Sequence, residues 1–310
     1  MKPAPVDYAR PRSVADALEL LTRPGAKVLA GGQSLVPLLS MRLASPGLLV
    51  DVNGLEELAY VEADPASPER GVRVGALARH SAVLEHAGAR AVQPLLGRAL
   101  RLVAHPTIRN RGTTVGSIVH ADAAAEVPAV LALLGGGVTA ASVSGRRYVE
   151  AADLFVGPLE SSLRGNELAV EAVFPALAPE AGAAIEEVSR RHGDYALCGV
   201  AVIVEPAAER EPPLMTGRAA PDDRPRSVRA GYFSVCDVPT VVDLTPALAD
   251  GLTDAGFEAA ADLALASLDP QEDIHATAAY RAQLVRTLTR RAVLAAQADA
   301  SGRARTLTAS

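Results

Sequence analysis

The chain has 310 residues, 49% of them hydrophobic, with 30 Lys and Arg against 36 Asp and Glu for a net charge of −6. A chain this apolar buries a core, which excludes disorder for most of it, and at about 100–200 residues per domain its length suggests two or three domains. Lys2 and Lys27 are its only lysines and its arginines are interspersed with acid, so no basic tract points to nucleic acid.

The start, Met1-Lys2-Pro3-Ala4-Pro5-Val6-Asp7, lacks the apolar run of a secretory signal. The longest weakly polar stretch, Val127 to Val143, is broken by Pro128 and by Gly135-Gly136-Gly137, too interrupted for a spanning helix of about 20 residues. The expectation is a soluble cytoplasmic protein with no membrane insertion. Cys198 and Cys236 form neither a Cys-x-x-Cys pair nor a disulfide framework, so any iron–sulfur cluster must sit on another chain.

In chain order, Ser13 is the expected N-cap of a helix over Val14 to Leu21, stopped by Pro24-Gly25. Lys27 to Ala30 reads as a short strand entering Gly31-Gly32, and Leu48 to Val52 as a second strand before an Asn53-Gly54 turn. From about Leu58, β segments at Ala59 to Glu62 and Val72 to Gly75 precede helices around Ala82 to His86 and Leu95 to Ala104. An apolar helix over Val127 to Leu134 leads to strands around Val138 to Val143 and Ala169 to Phe174, with Pro175 to Pro179 read as a linker. Segments Ile185 to Arg191, Ala196 to Val204 and Val228 to Val235 read as β, with the Pro-rich insertion Glu205 to Arg226 as a surface loop. Helices over Phe257 to Ala266 and Ile274 to Ala298 follow, then a frayed tail from Ser301 to Ser310. In the last helix Leu284, Val285, Leu288 and Leu294 predict an apolar stripe, and Arg281, Arg286, Arg290 and Arg291 a solvated or docking face.

Two segments carry chemistry. Ala30-Gly31-Gly32-Gln33-Ser34 follows a strand, and its adjacent glycines admit backbone angles closed to other residues, so successive amides form an anion-binding concavity. The same residues also read as a tight turn with no ligand. A Walker A loop and a Gly-x-Gly-x-x-Gly fingerprint are both absent. The second segment, Ile108 to Asp122, packs hydroxyl, amide and small residues ahead of the apolar helix. There Asp122 and Glu126 suit ribose hydroxyls, though Ser117 or Asp122 also suits a turn cap and His120 a core histidine. The six histidines, His80, His86, His105, His120, His192 and His275, show no metal spacing, and His80 and His86 are expected to decorate a helix. Ser34 lies in no Gly-x-Ser-x-Gly elbow, which leaves a hydrolase unsupported, and Cys198 reads as a buried thiol without a chemical role.

Together the run Ala30 to Arg42 (Ala-Gly-Gly-Gln-Ser-Leu-x-Pro-Leu-x-x-x-Arg) and Ile108-Arg109-Asn110-Arg111-Gly112-Thr113 through Gly116-Ser117 to His120-Ala121-Asp122 resemble the FAD-binding medium subunit of the molybdenum hydroxylases, of the carbon monoxide dehydrogenase flavoprotein and xanthine dehydrogenase type. The segments Leu154 to Glu160, Arg190 to Ala196 and Ile274 to Arg281 agree in order along the chain. The resemblance implies an α+β fold of the vanillyl-alcohol-oxidase or PCMH type. FAD-binding subdomains over residues 1–57 and 58–177 would be followed by a C-terminal CO-dehydrogenase-flavoprotein domain over 180–300, a three-stranded sheet with helices. It implies FAD held by Ala30, Gly31, Gly32, Gln33, Ser34, Leu35, Thr113, Thr114, Gly116, Ser117, His120, Asp122, Glu126 and Leu163, with Tyr195 near the isoalloxazine and no metal.

The implied function is electron transfer from partner iron–sulfur clusters through FAD to an external acceptor. The partners would be a molybdenum-cofactor large subunit and a 2Fe-2S small subunit, in a heterotrimer or its dimer. A free-standing FAD-dependent oxidase or dehydrogenase on the same scaffold is the alternative, and a non-catalytic α/β module a third reading. The sequence departs from the family at Val115 and Ser117, where Gly and Asn are common. It departs again at Glu187, which falls about where a lysine often lies and where a negative charge would oppose flavin reduction.

Overall fold

The computed structural model describes residues 2–206 and 225–308. The chain begins with β1 (Asp7–Ala9), α1 (Val14–Leu21), β2 (Ala26–Leu29), α2 (Leu35–Met41) and β3 (Leu48–Asp51). Ser13 caps α1 by accepting from the Asp16 amide at 3.1 Å, and the helix buries Ala17 and Leu21. The strands form a parallel sheet in the order β1-β3-β2, which aims the chain after β2 out of the sheet edge into the Gly31-Gly32 turn.

The next unit comprises β4 (Val61–Glu62), β5 (Val72–Gly75), α3 (His80–Glu85), α4 (Ala87–Val92), α5 (Pro94–Leu102), α6 (Pro106–Arg109), α7 (Thr114–His120) and α8 (Glu126–Leu134). It continues with β6 (Gly137–Ser142), β7 (Gly145–Glu150), α9 (Ala151–Leu154), β8 (Phe155–Gly157), β9 (Glu160–Ser161) and β10 (Leu168–Phe174). Five of these strands form an antiparallel sheet, β4-β5-β10-β6-β7. Helix α8 is apolar on every side and buried from Val127 to Leu131, as expected of a core helix, and ends at Gly135 with φ +67°.

The last unit is the antiparallel sheet β11 (Gly182–Ser189), β12 (Ala196–Pro206), β13 (Pro225–Phe233) and β14 (Thr240–Asp243), covered by α10 (Asp254–Ser267) and α11 (Ala278–Thr308). Side chains alternate across β11. Ala183 and Ile185 face the core shared with the earlier sheets, while Ala184 and Val188 face the core under α10 and α11. Arg98 of α5 pairs with Asp299 of α11 at 2.6 Å and donates to the Ala183 carbonyl, tying the last unit to the preceding one.

Several expectations from sequence are corrected. The implied three-stranded sheet has four strands, because Thr240–Asp243 adds to the edge of β13. Pro175 to Pro179 is pinned rather than loose, since Gln93 donates to Pro175 O at 2.7 Å and the Leu177 amide to Val92 O at 3.1 Å. The long helix starts at Ala278, after a turn in which Asp273 Oδ1 accepts from the amides of His275 and Ala276, and continues through the expected tail to Thr308. The proposed loop Glu205 to Arg226 begins and ends inside β12 and β13, and its residues 207–224 lie outside the described ones. Leu294 is 43% exposed rather than part of an apolar stripe. Arg286, Arg290 and Arg291 form surface ion pairs with Asp262, Asp254 and Glu186.

Arg281 is the exception among those arginines, with only 6% of its surface exposed. Its guanidinium donates to the carbonyls of Leu197 and, at 2.7 Å, Ser234, and pairs with Asp273 at 2.6 Å. Arg281→Met should therefore leave two strand-end carbonyls unpaired and cost about 1–3 kcal/mol. The expected result is a lower urea midpoint at unchanged m-value.

Candidate cofactor cleft

The two glycine-containing segments, some 70 residues apart in sequence, meet directly. A Cβ on Gly31 would lie 2.4 Å from Arg111 O and 2.8 Å from Gly112 Cα, so only glycine permits this approach. Gly32 has φ +71°, which turns the chain between β2 and α2. Among the described residues no acceptor meets the amides of Gly32, Gln33 and Ser34, and Ser34 leads α2 with no side-chain capping bond. Gln33 folds back to donate to Gly31 O at 3.1 Å. Ala30, Ser34 and Leu35 are half-buried beside it.

Two residues that sequence reading passed over hold the junction. Asn53 donates to Ala30 O at 2.8 Å and to Asp51 Oδ1 at 2.6 Å. Arg79 donates to Asn53 Oδ1 at 2.7 Å and to Arg111 O at 2.5 Å. Asn53 had signalled only a turn, and Arg79 stands in no motif, so nothing local marked either.

In the second segment Thr113 accepts from the Gly116 amide at 3.2 Å and so caps α7. Thr114 is fully buried, with its hydroxyl 3.2 Å from His80 Nδ1. His80 is accordingly a buried packing residue rather than a decoration of a helix surface, and burial lowers its pKa to about 4. His86 caps α4 through Nδ1 at 3.0 Å from the Ala89 amide. The threonine side chains are thus committed to the fold, and Gly116 and Ser117 form the half-buried surface of the segment.

Past α7, Ala121 takes φ +54° and Asp122 Oδ1 accepts from the Ala124 amide at 2.9 Å, so Asp122 also caps its turn. His120 is half-buried, and desolvation lowers its pKa with a further push from Lys27, against the pull of Asp122. The last unit closes on this turn through Ser234, whose amide donates to Ala123 O at 2.8 Å and whose hydroxyl donates to Ala196 O. Tyr195 precedes that strand with 67% of its surface exposed. Partial desolvation of its hydroxyl and the nearby carboxylates of Asp122 and Glu126 raise its pKa. Leu163 is half-buried against the large core, in a loop anchored by the Arg147–Glu167 pair at 2.7 Å.

Two carboxyls lie within electrostatic reach of each other, Glu126 at the head of α8 and Glu187 on β11. Burial, with Glu187 and Asp122 adding to it, pushes the Glu126 pKa up to about 8. Burial likewise pushes Glu187 up to about 7, and its Oε2 atom has no hydrogen-bond partner. Both values lie above the ordinary 4.5, so the stability these groups contribute is complete below about pH 4.5, where folded and unfolded chains are both protonated, and is lost as pH rises through about 7 to 8. From these two groups the Tm of the ligand-free chain should decline between about pH 4.5 and about pH 8 and level off above, and a double Glu126→Gln, Glu187→Gln variant should flatten that decline.

The geometry fits a phosphate-bearing cofactor: uncommitted amides at Gly32 to Ser34, a glycine contact that leaves no side chain between the segments, and the cations Arg79 and Arg111 alongside.

Known families agree with this layout. Residues 4–177 match the FAD binding domain in molybdopterin dehydrogenase, and residues 183–296 match the CO dehydrogenase flavoprotein C-terminal domain. The chain is 40% identical to the 6-hydroxypseudooxynicotine dehydrogenase complex subunit alpha of Paenarthrobacter nicotinovorans over 297 residues, 94% of each chain. It superposes with a TM-score of 0.85 on a chain of carbon monoxide dehydrogenase from Hydrogenophaga pseudoflava, at 31% identity, covering 96% of this chain and 99% of that one. A chain of quinoline 2-oxidoreductase from Pseudomonas putida 86 gives 0.84 at 32% identity, covering 97% and 99%. The protein belongs to the FAD-binding medium subunits of the molybdenum hydroxylase family. It is a flavin-dependent oxidoreductase subunit, and its cofactor is FAD.

Proposed function

We propose that this chain passes electrons from the iron–sulfur clusters of a partner through FAD to an external acceptor. It would work with a molybdenum-cofactor large subunit and a 2Fe-2S small subunit. The observation that carries the reading is the direct backbone contact between Gly31 and Arg111-Gly112, which leaves the amides of Gly32 to Ser34 uncommitted. The chain's own cysteines support the division of labour: Cys198 is buried, with its pKa pushed up to about 12 by desolvation, and Cys236 stands free. Neither offers a cluster site. Two free thiols also accord with work in the reducing cytoplasm.

On this reading Ala30 to Leu35 and the segment Thr113 to Ser117 form the pyrophosphate seat, with the uncommitted amides of Gly32 to Ser34 as donors and the half-buried Gly116 and Ser117 as the surface beside them. His120, Asp122 and Glu126 line the ribose, Leu163 contributes an apolar flank, and Tyr195 covers one face of the ring. The exposed Tyr195 supports its assignment, because a rigid aromatic ring left uncovered by protein is available to stack. FAD, when bound, supplies the exchange of electrons singly or in pairs. The chain's part is to bind it, orient it and keep water from one face. We further divide the cofactor-binding part into residues 1–57 and 58–177, with 180–300 as the C-terminal domain, in keeping with the separate sheets at the two ends of the cleft.

The purified chain should carry a flavin absorption spectrum, and the nucleotide released on denaturation should be FAD. Gly32→Val should remove it while the chain stays folded, since a branched side chain resists φ +71° and would crowd Val36 and Leu29. Full flavin content in that variant would show that this turn does not hold the cofactor.

Expressed with its neighbouring subunits, the chain should copurify with a molybdenum-containing large chain and a cysteine-rich small one. A lone monomer turning over its own substrate would instead establish a free-standing FAD enzyme.

A further inference from the structure

Glu187 is placed to hold a proton in the cofactor cleft. Along β11 the odd positions face the cofactor-binding part and the even ones face α11, where Glu186 pairs with Arg291 at 2.8 Å. Glu187 therefore points away from that arginine, toward the start of α8. The titratable group set against it is Glu126, at the head of α8, and beyond Glu126 stand Asp122, on the preceding turn, and the Tyr195 phenol, on the segment entering β12. On its own sheet the neighbouring strand sets Gly199 opposite it, while the buried Cys198 thiol lies on the other face with Val188. Among the described residues no Arg, Lys or His forms an ion pair with it, and its Oε2 atom is buried without a partner.

A carboxyl buried near another, with no cation to neutralise it, holds its proton more tightly than one in water. The burial that raises its pKa to about 7 is the expression of this arrangement. Any negative charge added close by raises its proton affinity further. Reduction of a flavin adds such charge.

We propose that Glu187 is a positioning residue for the proton that accompanies flavin reduction: it stands as a neutral carboxylic acid beside the reduced cofactor and as a carboxylate beside the oxidised one at alkaline pH. The inference rests on the reading of the cleft as the FAD site. The balance is simple. As FAD takes up two electrons and one proton to become the anionic reduced flavin, the Glu187 carboxylate takes up a second proton from solvent. No group is transferred, and the electrons come from the reductant that the partner clusters, or a dye in the assay, provide. Ionised, Glu187 opposes reduction; protonated, it does not, so the flavin potential falls more steeply with pH than the flavin's own protonation requires.

The test is the midpoint potential of FAD in the full-length, FAD-loaded chain, measured by dye-mediated spectroscopic titration across the pH range around 7. Wild type and Glu187→Gln should share one potential on the acid side. On the alkaline side the wild type should fall more steeply, by one extra proton per electron pair, leaving the variant at the higher potential. Glu187→Met, which fills similar space without titrating, should behave like Glu187→Gln and serves if the amide impairs folding. Parallel curves for the wild type and either folded variant would overturn the proposal. So would a flattened slope in Glu126→Gln with none in Glu187→Gln, which would assign the proton to Glu126. In both outcomes bound FAD leaves the reading of the cleft standing, whereas a chain that binds no FAD overturns that reading and the inference with it.

Discussion

The closest backbone approach in the site is the constraint on which the rest depends. With Arg111 O 2.4 Å from where a Gly31 Cβ would be, the turn after β2 and the loop before α7 behave as one surface. No side-chain rearrangement could relieve a clash there, because both partners are main chain. The surrounding residues spend their polar groups on holding that contact. Asn53 and Arg79 stitch the Ala30 and Arg111 carbonyls together, and the His80 amide donates to Gly112 O at 3.0 Å. What remains unspent is the row of amides at Gly32 to Ser34. Amides held in place before a ligand arrives need little reorganisation to bind an anion.

The third wall comes from the last unit and is positioned by a different device. Buried Arg281 draws together the ends of β12 and β13 through the carbonyls of Leu197 and Ser234, and Ser234 in turn grips the Ala123 and Ala196 carbonyls. Tyr195 is therefore exposed yet flanked on its C-terminal side by a fixed strand. A charged guanidinium this deep costs desolvation, and the cost is offset because its carbonyl acceptors would otherwise be unpaired.

Much of this was legible in the sequence, for reasons that differ by residue. Ser13, the β2 strand and apolar helix α8 were readable because capping, β-propensity and all-round hydrophobicity are local properties. The glycine turn was readable as a turn because Gly-Gly after a strand narrows the choice of backbone angles, and Gly32 takes φ +71° there. Arg281 was misread because the helix sequence does not reveal that a loop carrying Asp273 folds over it. Helices α2 and α7 escaped notice because both are short, α2 being interrupted by Pro37 and α7 being rich in residues that favour turns or strands. His80 and Arg79 were invisible as scaffold, since their partners, Thr114 and Asn53, are 34 and 26 residues away.

The polarity of the cleft gives the ligand a direction. Arg79 and Arg111 stand with the uncommitted amides at one end, while Asp122, Glu126 and Glu187 gather at the other. A pyrophosphate seated among the amides gains both hydrogen bonds and charge attraction, whereas the same group turned toward α8 and β11 would meet three carboxyls with no cation paired to Glu187. Where those carboxyls are ionised the contact is between like charges and costs several kcal/mol, and where they keep their protons the attraction to a cation is still absent. The carboxyl end can keep its protons and so accept an uncharged group. Orientation and proton affinity thus follow from one arrangement: acids concentrated where the last unit closes on the cofactor-binding part, and bare backbone where the two glycine segments meet.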